Sequence, residues 1–287
     1  MDVFLMTIKV EKYMSSPVIS VYESDNIARV RNLMLRYRIS RVVVVDTNHK
    51  PVGIISRHDI INYFADRRRA EKRLEEVYAR EIMRSPLIKV SPNTSIKKAA
   101  ELMLKNNINS LPVISLEEGL EGILTATDLL RAFRDHVRGR VKVSEYMRKD
   151  YKTARRDHSL FHIIDLLNKD PDRKVVVIED DRPIGIITES DIVFIEPRSL
   201  WVKGSYMKRR GLTARGHLSI VRDYIIPVAE DLMTPDPLTI NENEDLSVAA
   251  DIMYKNRFGA LPVVDEKDLM KGLVTKRVII KALYDLL

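Results

Sequence analysis

The chain has 287 residues, of which 31% are charged, and a formal net charge of +7 that favours polyanionic partners. It contains no cysteine, which excludes disulfides, thiolate nucleophiles and cysteine-based metal sites. No apolar stretch approaches the roughly 20 residues that span a bilayer, and residues 1–10 lack the pattern of a secretory signal, so we expect a cytoplasmic protein without a membrane segment.

Four copies of one pattern follow each other along the chain. Each copy opens with a Met-led segment, at Met14, Met83, Met147 and Met233. A polar turn then precedes apolar residues at helical spacing, for example Ile27, Val30 and Met34 in the first copy. The distance from the Met to the end of the copy is constant in copies one, two and four and one residue shorter in copy three. An internal repeat of this length predicts one small unit copied four times.

The second half of each copy predicts two strands and a second helix. Buried-strand runs rich in β-branched residues lie at 42–45, 111–114, 175–178 and 261–264. A Gly-led strand follows, and a second helix is predicted around 60–64, 129–133 and 279–286. The predicted unit is therefore β-α-β-β-α, and the fold class is α/β with helices and strands mixed throughout.

The Gly-led strand ends in the motif Gly-x-x-Ser/Thr-x-x-Asp in copies one to three, with Asp59, Asp128 and Asp191 in last place, whereas copy four has Val278. Two interpretations remain open for the motif. The Ser/Thr and Asp can cap the second helix and complement its dipole, which is the simpler explanation for any single copy. Alternatively, the carboxylate can accept two hydrogen bonds from the diol of a ribose.

The repeated motif resembles that of the cystathionine β-synthase (CBS) domain. Four copies without a catalytic domain resemble the γ regulatory subunit of AMP-activated protein kinase and archaeal stand-alone four-CBS proteins. The resemblance implies that repeats one and two, and repeats three and four, pair into two CBS-pair (Bateman) modules that form a disk. The expected boundaries are 8–66, 77–136, 141–196 and 227–287, with a basic insertion at 197–226.

The resemblance also implies the ligand-binding residues. The implied ribose-binding residues are Ser56, Asp59, Thr125, Asp128, Thr188 and Asp191. The implied adenine-binding residues are Tyr22, Ile27, Ser91, Ile96, Asn241 and Leu246, of which the apolar three can equally be helix-core residues. The implied phosphate-binding residues are Arg41, His58, Arg173, Lys174, Lys276 and Arg277, for which a solvated surface charge is the alternative. Loss of the Asp in repeat four predicts an empty or weak site there.

The basic insertion at 197–226 carries the only tryptophan, Trp201, and the glycines Gly204, Gly211 and Gly216. The glycines predict a loop with turns. The charges allow contact with phosphate or nucleic acid, but a solvated crossover between repeats is the favoured interpretation, since charged loops are commonly just exposed.

The sequence offers no catalytic residues and no metal site. The six histidines are scattered, and His158 and His162 lack the intervening Glu of a zinc-protease helix. We therefore expect a regulatory protein, not an enzyme, that binds AMP, ADP or ATP as a ligand and signals to a protein partner such as a kinase or another enzyme, as a monomer or homodimer. The alternatives are a CBS protein for S-adenosylmethionine or methylthioadenosine, and a nucleic-acid-binding or scaffold protein. The absence of glutamine and the many Lys, Arg and Glu residues are typical of heat-loving organisms. The resemblance to archaeal four-CBS proteins implies an archaeal origin.

Overall fold

Helices and strands follow the four-repeat pattern of the sequence. The computed structural model describes residues 8–65, 69, 72–115, 117, 119–193, 206–212, 218–224 and 227–287. Repeat one contains β1 (Ser20–Tyr22), α1 (Ile27–Arg36), β2 (Arg41–Val45), β3 (Pro51–Ser56) and α2 (Arg57–Ala65). Repeat two contains α3 (Ala79–Ile82), α4 (Ile96–Lys105), β4 (Ser110–Ile114), β5 (Leu120–Thr125) and α5 (Ala126–Val137).

The second half of the chain repeats the same order. Repeat three contains α6 (Val143–Tyr146), β6 (Lys152–Ala154), α7 (Leu160–Lys169), β7 (Lys174–Glu179), β8 (Arg182–Thr188) and α8 (Glu189–Val193). The insertion contains β9 (Tyr206–Leu212) and β10 (Leu218–Tyr224). Repeat four contains α9 (Ala229–Leu232), β11 (Thr234–Pro235), β12 (Ile240–Asn241), α10 (Leu246–Asn256), β13 (Ala260–Val264), β14 (Met270–Thr275) and α11 (Lys276–Leu286). No helix within the described ranges is long and apolar enough to cross a membrane.

The chain divides into two compact units. The larger unit comprises Met1–Asp59, Leu74–Tyr151 and Pro237–Leu287, and the smaller comprises Ile60–Arg73 and Lys152–Asp236. In the larger unit, β1 pairs in parallel with β2 and β2 pairs antiparallel with β3, and β12, β13 and β14 repeat this arrangement. In the smaller unit the strand order is β11-β8-β7-β6. Each repeat thus presents the end of its Gly-led strand directly before its second helix.

One hydrophobic core in the larger unit joins repeats two and four. Helices α4 and α5 of repeat two pack with α10 and α11 of repeat four, and Leu129, Phe133, Ile279 and Leu283 are completely buried between them. Each such side chain stabilises the fold by about 1.5–3 kcal/mol through removal of apolar surface from water. The helices that begin at the Ser/Thr-x-x-Asp motif of repeat two and its counterpart in repeat four are therefore held rigidly by their apolar faces.

The first strand of repeat two is shorter than that of repeat one. Only an isolated parallel bridge between Val90 and Val113 stands where β1 pairs with β2 in repeat one. In repeat one, the backbone N–H of Glu23 donates to the carbonyl of Val45 at 3.2 Å. Pro92 occupies the corresponding position of repeat two, and since proline has no N–H to donate, the ladder ends after one residue.

The insertion is not only a loop. Its described residues form an antiparallel pair in which Tyr206 lies opposite Tyr224 and Leu212 opposite Leu218. Gly211, predicted to lie in a turn, is inside β9 opposite Ser219, while Trp201, Gly204 and Gly216 lie outside the described residues. The prediction of a loop was wrong here because the backbone groups of these two segments satisfy each other's hydrogen bonds.

Candidate functional site

The Met-led segment of one repeat lies on the Gly-led strand of its partner repeat. In the larger unit, Met83 of repeat two lies against Gly53 of repeat one, and Met14 of repeat one lies against Gly122 of repeat two. Backbone hydrogen bonds continue the contact, since Arg84 donates to the carbonyl of Ile54 at 2.9 Å and accepts from its N–H at 3.2 Å. This reciprocal exchange brings the residue after each Met to the motif of the partner repeat.

Each motif carboxylate folds back onto the start of its helix through one oxygen. Oδ2 of Asp59 accepts the backbone N–H of Ser56 at 2.8 Å, and Oδ2 of Asp128 accepts that of Thr125 at 2.7 Å. Oδ2 of Asp191 does the same with Thr188 at 2.7 Å, and in each copy the hydroxyl donates to the same oxygen. The helix-capping interpretation is therefore correct for Oδ2, and it leaves Oδ1 for another role.

The second oxygen meets the residue that follows the partner's Met. Nε of Arg84 donates to Oδ1 of Asp59 at 2.5 Å in an ion pair. At the same position in the other direction, the hydroxyl of Ser15 lies 3.5 Å from Oδ1 of Asp128. The sequence analysis missed both residues, although their place directly after the repeated Met was the available signal. The two motifs thus share one geometry but differ in charge.

The carboxyl of Asp128 is strongly affected by its surroundings. Burial raises its pKa above the usual value, while the hydrogen bonds from Thr125, the positive charge of Arg131 and the hydroxyl of Ser15 act in the opposite direction. Asp59 and Asp128 are buried and hydrogen-bonded, so they are not surface caps. Replacing either with alanine would leave the half-buried donors of Ser56 or Thr125 without that acceptor.

Two of the predicted phosphate-binding residues lie beside the motif hydroxyls. In the strand register, Arg41 is opposite Ser56 and Lys174 is opposite Thr188, a separation of roughly 4.5–5.5 Å between Cα atoms. Burial lowers the pKa of half-buried Lys174, against the attraction of Glu189 and the other nearby carboxylates. Each of these repeats therefore carries a cationic residue next to the hydroxyl of its motif.

Arg173 forms an ion pair with the motif of repeat three. Its Nε lies 3.1 Å from Oε1 of Glu189, a variable residue inside the motif of repeat three. His58, directly before Asp59, is half-buried. A phosphate role for these two side chains stays a prediction.

Lys276 and Arg277 of repeat four reach repeat two within the larger unit. Nζ of Lys276 donates to the hydroxyl of Thr127 at 2.7 Å, and Arg277 contacts the side-chain oxygen of Asn107. Because Thr127 directly precedes Asp128, the ammonium group of Lys276 lies at the start of α5, beside the motif of another repeat. The sequence separation of this contact is 149 residues, and no local pattern reveals it.

The implied adenine-binding residues fall into two groups. Ile27, Ile96 and Leu246 are the first residues of α1, α4 and α10 and are completely buried, as core residues are. The polar group consists of Tyr22, which is 40% exposed and lies against His49, Ser91, whose hydroxyl bonds that of Thr94, and Asn241, which accepts the N–H of Asn243. An adenine role for the six residues stays a prediction, and burial favours the core alternative for the apolar three.

Repeat four keeps the cap but lacks the carboxylate. The hydroxyl of Thr275 accepts the backbone N–H of Val278 at 3.4 Å, and both residues are buried. The local fold is thus the same as in repeat two, and the only missing element of the motif is the acid.

A cavity along α1 is lined by none of the predicted site residues. The cavity has a volume of about 620 Å³ and is lined by Ser24, Asp25, Asn26, Ala28, Arg29, Asn32, Leu33 and Arg36. The rings of His158 and His162 lie 4.5 Å apart, but no group of three or more potential ligand residues for a metal occurs in the part of the chain that the structure describes.

Comparison with known proteins supports the relationship seen in the sequence. A family model described as CBS domain matches residues 10–66, 79–135, 143–197 and 228–285. The uncharacterized protein MJ1225 of Methanocaldococcus jannaschii is 28% identical over 277 residues, which cover 92% of this chain and 94% of that protein. An uncharacterized 33.4 kDa protein of Thermofilum pendens is 30% identical over 196 residues, covering 64% of this chain and 62% of its own.

Solved structures are similar along nearly the whole chain. The crystal structure of MJ1225, described as a proposed archaeal homologue of γ-AMPK, has a TM-score of 0.75 at 26% identity and covers 96% of this chain and 100% of its own. An uncharacterized protein from Pyrococcus horikoshii has a TM-score of 0.66 at 18% identity with the same coverage, which shows a common fold. The predicted resemblance and the mixed α/β fold of four repeats are confirmed.

Proposed function

Since this chain belongs to the CBS-domain family through four matched repeats, we propose that it is a regulatory, non-catalytic protein that binds adenine nucleotides. AMP, ADP or ATP is the ligand, and site occupancy is passed to a partner protein such as a kinase or another enzyme. The observation that carries the proposal is that the two oxygens of a motif carboxylate make different contacts. Oδ2 caps the helix, whereas Oδ1 lies outside the cap.

The ribose diol is the group that suits this oxygen. A carboxylate accepts hydrogen bonds from hydroxyl groups, and a bond to a charged acceptor contributes about 1.5–3 kcal/mol. The carboxylate also lies at the start of a helix, where the positive end of the helix dipole favours an anionic ligand close by. Three repeats carry the full set of Ser/Thr and Asp, so up to three ribose-containing ligands have a carboxylate to bind.

Cations near the motifs suit a phosphate. Nζ of Lys276 donates to the hydroxyl of Thr127, the residue before Asp128. Arg41 and Lys174 lie opposite the hydroxyl residues of repeats one and three. An ammonium or guanidinium group strengthens binding of a phosphate through charge-assisted hydrogen bonds. These cations favour nucleotides over adenosine itself.

S-adenosylmethionine or methylthioadenosine is a second candidate for repeat two. The residue opposite Thr125 in the neighbouring strand is Ser110, which carries no charge, where repeats one and three have Arg41 and Lys174. Lys276 lies at the start of α5, but without a cation opposite the motif hydroxyl the site tolerates an adenosyl ligand that has no phosphate chain. Titrating these compounds beside the nucleotides therefore belongs to the test.

Calorimetry on the full chain tests the proposal. The protein is freed of co-purified ligand by unfolding and refolding, the released compounds are identified by mass spectrometry, and AMP, ADP, ATP and the two alternatives are titrated. Asp59→Asn, Asp128→Asn and Asp191→Asn should each remove one site or weaken it about ten- to a hundredfold, because the amide keeps an acceptor for the cap but offers a donor in place of Oδ1.

A matched control is Asp157→Asn, which changes a largely exposed aspartate outside the motifs and should leave binding unchanged. The proposal fails if the refolded parent binds none of these compounds, or if the three motif variants bind as many ligands as the parent with the same affinity.

A further inference from the structure

One position in the fold carries Arg84 in repeat two and Ser15 in repeat one. Both residues directly follow the Met that packs on the partner's Gly. Both form an antiparallel backbone bridge to the partner's Gly-led strand, Arg84 with Ile54 and Ser15 with Ile123. Their side chains then meet the same oxygen, Oδ1, of the partner's motif aspartate. The two sites therefore differ at this position, where Asp59 meets a guanidinium and Asp128 meets a hydroxyl.

The guanidinium occupies the oxygen that a ribose would need. Oδ2 of Asp59 is engaged by the N–H and hydroxyl of Ser56, so Oδ1 is the oxygen outside the cap, and Arg84 donates to it at 2.5 Å. Oδ1 can accept two hydrogen bonds, so a ribose diol that donates both of its hydroxyls to Oδ1 displaces this charge-assisted hydrogen bond. At Asp128 the competing contact is the 3.5 Å approach of Ser15, which is weak.

The two partners of the ion pair differ in freedom. The side chain of Asp59 is only 7% exposed, whereas that of Arg84 is 58% exposed. Arg84 is thus the partner that can swing away, while the carboxylate stays with its cap. A displaced guanidinium loses its anionic partner unless the incoming ligand supplies another one.

We propose that Arg84 determines the ligand specificity of repeat one: it admits adenosyl ligands that carry an anionic group such as a phosphate, and disfavours those that lack one. The phosphate of a nucleotide re-pairs the guanidinium that the ribose displaces, and uncharged adenosine does not. This inference rests on the proposed function and adds a ligand class to one of its sites. Arg84 acts through competition for Asp59, and its counterpart Ser15 imposes no such requirement on repeat two.

The test exchanges the two residues in full-length chains that keep one motif. In a chain with Asp128→Asn and Asp191→Asn, repeat one is the remaining site, and Arg84→Ser should strengthen adenosine binding about tenfold while AMP binding changes less than about threefold. In a chain with Asp59→Asn and Asp191→Asn, Ser15→Arg should weaken adenosine about tenfold and AMP much less. Dissociation constants come from calorimetry with AMP and adenosine.

Arg84→Lys is the conservative variant and should keep the preference for AMP, because an ammonium can also pair with Asp59. Thermal unfolding of each chain shows that it is folded, and the Ser15→Arg chain tests the same idea at the other site. If Arg84→Ser changes AMP and adenosine by the same factor, or weakens adenosine, Arg84 does not set specificity although nucleotide binding stands. If the single-motif parent chains bind neither compound, the proposed function is wrong, and this inference is wrong as well.

Discussion

Met147 lies directly over Gly272, so that a Cβ built on the glycine would approach the sulphur of Met147 to 2.6 Å and the carbonyl oxygen of Arg148 to 2.9 Å. Two backbone hydrogen bonds of 2.9 Å between Arg148 and Leu273 fix that carbonyl. The Met that opens each copy and the Gly that opens each motif are therefore two sides of one contact between paired repeats. The contact also sets the residue after the Met beside the partner's motif.

The first prediction is that Gly272→Ala destabilises the fold by about 1–3 kcal/mol, the usual range for overpacking. The methyl group meets a backbone carbonyl that can move only by breaking the Arg148–Leu273 hydrogen bonds. Gly119→Ala is the control, because among the residues that the structure describes exposed Gly119 has only the hydroxyl of Ser115 nearby, at 3.3 Å. Urea unfolding measures both variants, and equal midpoints would show that the Gly272 contact is not a constraint.

Much of the fold was predictable because local patterns determine it. The run of valines in β2 and the apolar spacing in α1 are visible in any short window, and the structure places both elements within a residue or two of the prediction. The insertion strands β9 and β10 were missed, since Gly211 inside β9 resembles a turn signal. The difference in length between the first strands of repeats one and two was not predicted, although Pro92, which lacks an N–H, stands in the sequence.

The candidate site was predictable only in part. The motif pointed to Asp59 and Ser56, which are three residues apart and bond each other. Arg84 lies 25 residues from Asp59, and its contact depends on how two repeats pair. The same limit applies to Lys276 and Thr127, which belong to different repeats. Spacing within one copy does not show which residues of two repeats meet, and for Arg84 the signal was its place directly after the repeated Met.

The second prediction concerns the phosphate partner of repeat two. Lys276→Gln keeps a hydrogen-bond donor for Thr127 but removes the charge at Thr127, the residue before Asp128. In a chain with Asp59→Asn and Asp191→Asn, it should weaken ATP and AMP about tenfold and leave adenosine within about twofold, because only the nucleotides lose a charge-assisted contact. Lys105→Gln, at an exposed lysine in α4, is the control. Equal losses for nucleotide and nucleoside would contradict a phosphate role for Lys276.

The third prediction follows from the raised pKa of Asp128. Burial makes the folded state bind the proton of this carboxyl more tightly than the unfolded chain does. The stabilising contribution is therefore present below the usual pKa of 3.8 and is lost as the pH rises through the pKa of the folded state. Because Asp128→Asn lacks this dependence, its stability relative to the parent should increase with pH across that window.

Ligand binding at repeat two should depend on the same proton. A protonated Asp128 is a weaker acceptor, so adenosine affinity in a chain with only this motif should fall on acidification at a pH above the usual carboxyl range. Denaturant unfolding and calorimetry over a series of pH values measure both effects. A stability difference between parent and Asp128→Asn that does not change with pH would show that burial does not perturb this carboxyl.

The last prediction uses the missing acid of repeat four. Val278→Asp places a carboxylate where the hydroxyl of Thr275 already accepts the backbone N–H of residue 278. In a chain whose three native motif aspartates are Asn, this substitution should create one binding site for AMP at micromolar affinity, equivalent to roughly −8 kcal/mol. Because residue 278 is buried, we also expect the substitution to lower the free energy of unfolding by about 1–3 kcal/mol.

The new site should also prefer AMP over adenosine. Arg148 follows Met147 and bridges Leu273 as Arg84 follows Met83 and bridges Ile54. Its Nε donates to Oδ1 of Asp150 at 3.1 Å, so the preference arises when the guanidinium exchanges Asp150 for the new carboxylate. Val278→Asn is the control, because it matches the size of Asp but lacks the charge, and it should create no site. A folded Val278→Asp chain that binds no AMP by calorimetry would show that the motif carboxylate is not what limits binding in repeat four.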